Sequence, residues 1–245
     1  MSDAVAAAAR TEPLDAWLER LFADPDLVRM GHNQRVADRN LGLGWIYYGL
    51  ARLYRPKLAV VIGSWRGFVP MVIARGCQDN ADGGEVLFID PSLVDDFWRD
   101  PARVDAWFGR FGIDNIRHRL KTTQEFAASP EHAALGPVDL LFVDGLHTAE
   151  QARFDYEAFR GRLSPRSIVL FHDSMRDEES RMYGADKGYA VTVRQLMEEY
   201  RGDPALQVLD LPFGTGLTLL RRPTGPAEQP FDEGPRRRRS ATPGT

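Results

Sequence analysis

From Lys57 onward, short apolar runs alternate with longer stretches of helical periodicity. That alternation is the pattern of strand, crossover helix and strand, and it predicts a parallel sheet. Strands are expected over residues 58–62, 86–89, 116–120 (the weakest), 140–143 and 168–171. Most of these runs are continuously apolar, as suits strands covered on both faces. Helices fit between them at 68–75, 96–111, 123–134 and 148–163. Beyond a polar segment at 177–187, a helix is expected over 190–200, and then two further apolar runs, 206–211 and 217–220. The last two are joined by Pro212-Phe213-Gly214-Thr215-Gly216, which reads as the turn of an antiparallel hairpin. The fold class is therefore α/β: one doubly wound, Rossmann-like domain whose mostly parallel seven-stranded sheet is closed by an antiparallel C-terminal hairpin, with helices on both faces.

Ahead of this domain, Leu14, Trp17, Leu18, Leu21 and Phe22 recur at helical spacing. A second helix is expected over 40–53, which carries Leu41, Leu43, Trp45, Ile46, Tyr47, Leu50 and Leu53 and stops at the Arg55-Pro56 step. The chain divides accordingly into a mobile arm (1–13), a helical extension (14–55), the α/β domain (56–222) and a tail (223–245). The extension packs on the domain or on a second copy of the chain, which makes a homo-oligomer an open expectation. Proline, glycine and charge in the tail predict disorder, and its Arg236 to Arg239 run reads as solvated in preference to bound at an anionic surface.

Composition narrows the partners. With 43% hydrophobic residues, 245 positions can fill one core. A net charge of -4 creates no broad positive field, so nucleic acid is not expected and a small molecule is. The lone Cys77 cannot form an internal disulfide and reads as a core or helix-end residue in preference to a reactive thiol, which fits a reducing compartment. The first ten residues lack a basic leader and are too short to span a bilayer, so the expected location is cytoplasmic, with no membrane partner.

Ligands of an open parallel sheet collect outside the carboxyl ends of its strands. After the first run comes Gly63-Ser64-Trp65-Arg66-Gly67, a turn whose glycines allow close backbone approach and whose following helix start presents free N–H groups. Such a turn alone marks any tight strand-to-helix connection. The second run ends at Asp90, followed by Ser92; an acid here either caps the next helix or accepts both hydroxyls of a ribose, and the glycine turn beside it favours the ribose. Thr123, after the third run, joins the candidate cofactor contacts. The fourth and fifth runs end in Val143-Asp144-Gly145-Leu146-His147 and Phe171-His172-Asp173. Two carboxylates leaving adjacent strands repel unless a cation lies between them, and His147 and His172 add an acid-base group and a further metal ligand at the same rim. The plainer alternative is that the acids cap turns and the histidines are ordinary rim residues.

These motifs, over residues 56–222, resemble the class I S-adenosylmethionine-dependent methyltransferases, in particular the metal-dependent small-molecule O-methyltransferases that include macrocin-type sugar methyltransferases and cephalosporin-hydroxylase-like proteins. The resemblance implies that Gly63, Ser64, Arg66 and Gly67 cradle the methionine part of S-adenosylmethionine and that Asp90 holds the ribose. It also implies that Ser92, Thr123 and Asp144 complete the cofactor site, and that Asp144 and Asp173, with His172, hold Mg²⁺ or another divalent metal. His147 matches the proposed base. Val61 stands where such enzymes often carry an acid, so the methionine ammonium needs another acceptor; His172-Asp173 stands where two adjacent acids are usual. The expected reaction is methylation of a hydroxyl on a small natural product, a sugar or a phenol. Two alternatives use the same residues: a metal-dependent hydrolase, which has no need of a ribose acid, and a non-catalytic S-adenosylmethionine-binding subunit.

Overall fold

The computed structural model describes residues 12–29 and 31–223. The expected arm up to residue 11 and the tail from residue 224, with its arginine run, lie outside the described residues. In chain order the elements are α1 (Leu14–Phe22), α2 (Gly44–Tyr54), β1 (Leu58–Ile62), α3 (Phe68–Asn80), β2 (Glu85–Ile89), a 3₁₀ turn (Phe97–Arg99), α4 (Pro101–Gly109) and β3 (Ile116–Arg119). They continue with α5 (Thr123–Ala127), α6 (Pro130–Ala133), β4 (Val138–Val143), α7 (Ala149–Arg160), β5 (Leu163–His172), β6 (Glu178–Ser180), β7 (Tyr189–Val191), α8 (Val193–Arg201), β8 (Gln207–Leu211) and β9 (Leu217–Arg221).

Seven strands form one sheet in the order β3-β2-β1-β4-β5-β9-β8. β1 to β5 run parallel, and β9 and β8 add antiparallel to β5, as the hairpin pattern requires. The α/β Rossmann-like sheet with its closing hairpin is thus as expected. Ala59 and Val61 of β1 point into a core shared with α1, α2, α3 and α4, whereas Leu58, Val60 and Ile62 point into a second core under α5, α7 and α8. Both faces are covered, which is why the strands read as unbroken apolar runs.

Several helix expectations are corrected, each by a local rule. The helix expected over 96–111 is a 3₁₀ turn and α4, because Pro101 restricts Asp100 to an extended backbone; the Asp100 side chain then accepts from Ala102 N–H as the cap of α4. The one expected over 123–134 is split in the same way at Ser129-Pro130. The second helix begins at Gly44 and not at 40, because Arg35 and Asn40 pair as an isolated bridge first. The segment read as polar loop contains β6, which pairs antiparallel with β7 in a two-stranded sheet of its own, and the following helix starts at Val193. Among the described residues no helix is long and apolar enough to cross a membrane.

The N-terminal helix is built into the core. Trp17 and Leu21 are fully buried, the Trp17 indole N–H donates to Phe111 O at 3.1 Å, and the Arg75 guanidinium lies over the indole ring, 5.5 Å from its centroid. Trp17→Ala should therefore destabilise the fold by about 3–5 kcal/mol, the range for removing a large buried aromatic. Urea unfolding followed by tryptophan-independent circular dichroism measures it; a loss within the range of surface substitutions would show that α1 is an appendage.

Candidate active site

The register of the sheet aligns the strand ends. Ile62 pairs with Ile89 and with Val143, and Val143 pairs with Phe171, so Gly63, Asp90, Asp144 and His172 follow at one level along the carboxyl edge. Gly63 has φ 70°, and a Cβ there would lie 2.2 Å from Asp144 O, so this crossing of two strand ends admits only glycine. Gly67, at φ 78°, starts α3 under the rings of Trp98 and Phe108, each 3.0 Å from where its Cβ would stand.

A cavity of about 510 Å³ opens over this edge. Gly63, Ser64, Asp90, Ser92, Thr123 and Asp144 all line it; Arg66 and Gly67 do not. The Arg66 guanidinium pairs with Asp95 at 2.7 Å and stacks over Phe97 at 4.4 Å, while the indoles of Trp98 and Trp107 donate to Trp65 O and Arg66 O. Arg66 and Gly67 hold the shape of the turn from outside it. Asp90 accepts from Ser92 N–H at 2.7 Å and from Ser64 N–H at 3.3 Å, leaving further lone pairs for a ligand. Burial lifts its carboxyl to about 6 against the pull of those two N–H groups.

Next to the cavity, Asp144, His147 and Asp173 bring one potential ligand atom each within 4.8 Å of one another, close enough to share a metal ion. His147 Nδ1 lies 2.6 Å from Asp173 Oδ2, and its Nε2 lies 3.5 Å from Asp144 Oδ1. Asp173 leaves β5 with a left-handed backbone, φ 52°, and accepts a hydrogen bond from the Thr215 hydroxyl of the β8–β9 turn. His147 itself is fixed by its main chain: Thr192 N–H donates to His147 O at 2.9 Å.

His172, level with Asp144, sits beneath the group and places Nδ1 2.9 Å from Asp144 Oδ1, while its buried Nε2 has no partner among the described residues. The three-residue group thus contains His147, which sequence reasoning assigned as a base, and His172 supports Asp144 from below. Burial alone would raise the Asp144 pKa, but the His172 charge and the His147 hydrogen bond hold it far below the carboxylate range; Asp173 falls to about 2 for similar reasons. The His147 pKa moves the other way: burial lowers it, and the bonds to both acids outweigh this and raise it well above its ordinary value. The two carboxylates hold both His147 and His172 toward their protonated forms.

Sequence reasoning missed several neighbours. His32, from the loop before α2, is 1% exposed, stacks on Phe68 with centroids 5.2 Å apart and lies 4.4 Å from the His172 ring. Its Nδ1 meets the Tyr47 hydroxyl at 3.1 Å, and burial with the nearby His172 pushes its pKa down to about 3. Met182, Tyr183 and Lys187, between β6 and β7, line the cavity, as do Asp155 and Gln151 of α7. None of these carries a motif; only the fold brings them here.

Sheet order, glycine turn and closing hairpin are those of the α/β Rossmann-like methyltransferase fold. Residues 60–174 match the family model Methyltransf_24, described as a methyltransferase domain. Over 151 residues the chain is 28% identical to the uncharacterized protein y4gI of Sinorhizobium fredii, a match covering 53% of this chain and 15% of that protein's length. Among solved structures, the fold is similar to methyltransferase PaMTH1 of Podospora anserina bound to S-adenosylhomocysteine, with TM-score 0.56 and 17% identity over 86% of this chain and 87% of that one. It is similar also to the Bacillus cereus O-methyltransferase in complex with S-adenosylhomocysteine, with TM-score 0.58 and 16% identity over 86% and 92%. A third likeness is to TomG of Streptomyces achromogenes, an O-methyltransferase involved in tomaymycin synthesis, with TM-score 0.54 and 17% identity over 87% and 90%.

A ribose donates its hydroxyls to an ionised carboxylate, so the Asp90 pKa near 6 has a measurable consequence. Affinity for S-adenosylhomocysteine should rise as pH increases through about 6 and level off above it. Asp90→Ala should cost roughly ten- to a hundredfold in affinity and remove that pH dependence. Calorimetric titration at pH 5 and 7.5 measures both; an unchanged profile in the variant would show that Asp90 does not meet the ligand.

Proposed function

We propose that this chain transfers a methyl group from S-adenosylmethionine to a hydroxyl of a small acceptor, a sugar or a phenol, with help from a divalent cation such as Mg²⁺. The observation that carries the reading is the convergence of Asp144, His147 and Asp173 beside a cavity that also holds the free acceptor positions of Asp90. The residue resemblance to macrocin-type enzymes and the O-methyltransferase neighbours support oxygen as the acceptor atom.

Carboxylate oxygens from two adjacent strand ends suit a hard cation, and an imidazole nitrogen also admits Mn²⁺, Fe²⁺ or Zn²⁺. Asp144 and Asp173 would hold the ion. When bound, it supplies Lewis-acid polarisation of the acceptor hydroxyl, and the sulfonium cofactor supplies the methyl group. Ser64 and Asp90 orient the cofactor from the β1 and β2 ends. His147 takes the hydroxyl proton on an imidazole nitrogen; for that it must start neutral, and it loses its own proton more readily once a cation neutralises the two acids. The buried rings of Tyr47, Phe68 and His32 keep water from the side of His172.

A second reading is favoured by the 2.6 Å contact between His147 and Asp173: a metal-free centre in which the His147 and His172 rings balance the two acids. Labelled S-adenosylmethionine offered with a panel of sugars and phenols, with and without chelator and Mg²⁺, separates the two. The metal reading expects transfer to fall on chelation and return with Mg²⁺, and Mn²⁺ to bind with an electron-spin-resonance signal that Asp173→Asn weakens. Full turnover after exhaustive chelation would leave the metal-free centre. In either case His147→Gln should lower turnover by about a hundredfold while leaving S-adenosylhomocysteine affinity within a small factor; a near wild-type rate across pH 6 to 9 would remove His147 as the base.

A further inference from the structure

The β6–β7 hairpin is rooted in the reacting centre at both ends. Asp173 lies just ahead of β6 in the chain, and Thr192, the residue after β7, donates its N–H to His147 O at 2.9 Å. Between those anchors the two strands pair antiparallel, Lys187 N–H donates to Gly184 O at 3.1 Å across the turn, and Met182, Tyr183 and Lys187 line the cavity. Neighbours hold these side chains in place: the Tyr189 hydroxyl donates to Met182 Sδ at 3.3 Å, and the Tyr183 and Tyr189 rings lie 5.8 Å apart. The residues proposed above to orient the cofactor follow β1 and β2. The hairpin, tied instead to Asp173 and His147, is placed to meet the second substrate.

Two properties of this part of the cavity point to the same kind of molecule. Leu93, Val94, Leu146 and Met182 all line it and are all between 36% and 61% exposed, an open apolar surface that a sugar would leave uncovered and a ring would cover. Charge is also unevenly placed. Asp90, Asp144 and Asp155 line the cavity, Asp95 is paired with Arg66, and Lys121 stands in the field of Glu125 and Glu131. Lys187 is exposed and forms no ion pair among the described residues. An anionic group entering here is repelled by the strand-end acids and drawn to the hairpin, so the neutral hydroxyl end of the same molecule is the end left to face His147. One lysine balances a single negative charge, as a carboxylate carries, whereas a phosphate ester carries about 1.5 to 2. We infer, on the strength of the methyl transfer proposed above, that the acceptor is a phenol bearing a carboxylate, its ring against Leu146, Met182 and Tyr183 and its carboxylate on the Lys187 ammonium. Lys187 is then a specificity-determining residue, and neutral sugars fall outside the acceptor class.

The test is calorimetry on the protein saturated with S-adenosylhomocysteine in the presence of Mg²⁺. Protocatechuate and dihydrocaffeate are each compared with their neutral amides, and methyl glucoside serves as the sugar. Each acid should bind about tenfold more tightly than its amide, the worth of one charge-assisted hydrogen bond, and the glucoside more weakly than either. Lys187→Gln, a change at an exposed position, should bring acid and amide within about twofold of each other, and Lys187→Glu should favour the amide. Both variants should keep S-adenosylhomocysteine affinity within about twofold of the wild-type value. Equal binding of acid and amide by the wild-type protein overturns the inference, as does loaded protein that binds neither, or that prefers the glucoside. So does a Lys187→Gln protein that keeps the wild-type preference. Loss of S-adenosylhomocysteine affinity in Lys187→Gln overturns it as well, because the lysine then serves the cofactor's own carboxylate. Failure of the wild-type protein to bind S-adenosylhomocysteine is a different result: it removes the methyl-transfer reading itself, and the inference with it.

Discussion

The arrangement of this molecule turns on two carboxylates that cannot stand side by side alone. Asp144 and Asp173 leave neighbouring parallel strands, and at this depth their mutual repulsion and desolvation both disfavour the charged pair. The centre meets that cost with histidines. His147 contacts both acids, and His172 holds Asp144 from beneath. Each of these groups is then secured by the scaffold around it: Gly63 lets β1 and β4 cross closely, Thr215 of the hairpin donates to Asp173, and Thr192 holds the backbone of His147 while its hydroxyl accepts from Ala149 N–H. Parallel register puts the acids together, and the hairpin and α8 keep them there.

The helical extension changes the medium in which those charges act. α1 and α2 share the core of the sheet, and the loop between them delivers His32 against His172 with Phe68 behind it. Tyr47, fully buried in α2, receives His32 at its hydroxyl and packs edge-on to Phe142 of β4. Water is thereby excluded from one side of the centre, and in a low-dielectric setting both the attraction of histidine to acid and the penalty for an unpaired acid grow. The extension is thus a wall of the site as well as a part of the core.

Around the glycine turn the rigidity comes from aromatic rings. Trp98 and Trp107 donate to the backbone of the glycine turn, and Trp98 stacks on Phe108 with ring planes 14° apart. These contacts hold the turn in shape. Arg66 adds to that clamp through Asp95 and Phe97, so a charge placed between two glycines serves the turn's geometry and not the cavity.

The architecture was legible in the chain because it rests on periodicity: unbroken apolar runs mark strands covered twice, and the turn-rich Pro212 to Gly216 segment marks a hairpin. The rim positions of Asp90, Asp144 and Asp173 were legible for the same reason, since a residue that follows a strand lies at the carboxyl edge. Helix ends were less so, because single prolines at 101 and 130 override a favourable pattern by restricting the residue before them. What only the tertiary structure decided is which side chains meet. His32 comes from a loop with no periodic signal, Asp155 reads along α7 as one more acid, Met182 and Tyr183 lie between strands of three residues each, and Arg66 turns away from the cavity its sequence position suggests. Local sequence fixes the level of a residue along the sheet; its partners, burial and protonation depend on chain segments far away in sequence, and those are set only when the two cores close.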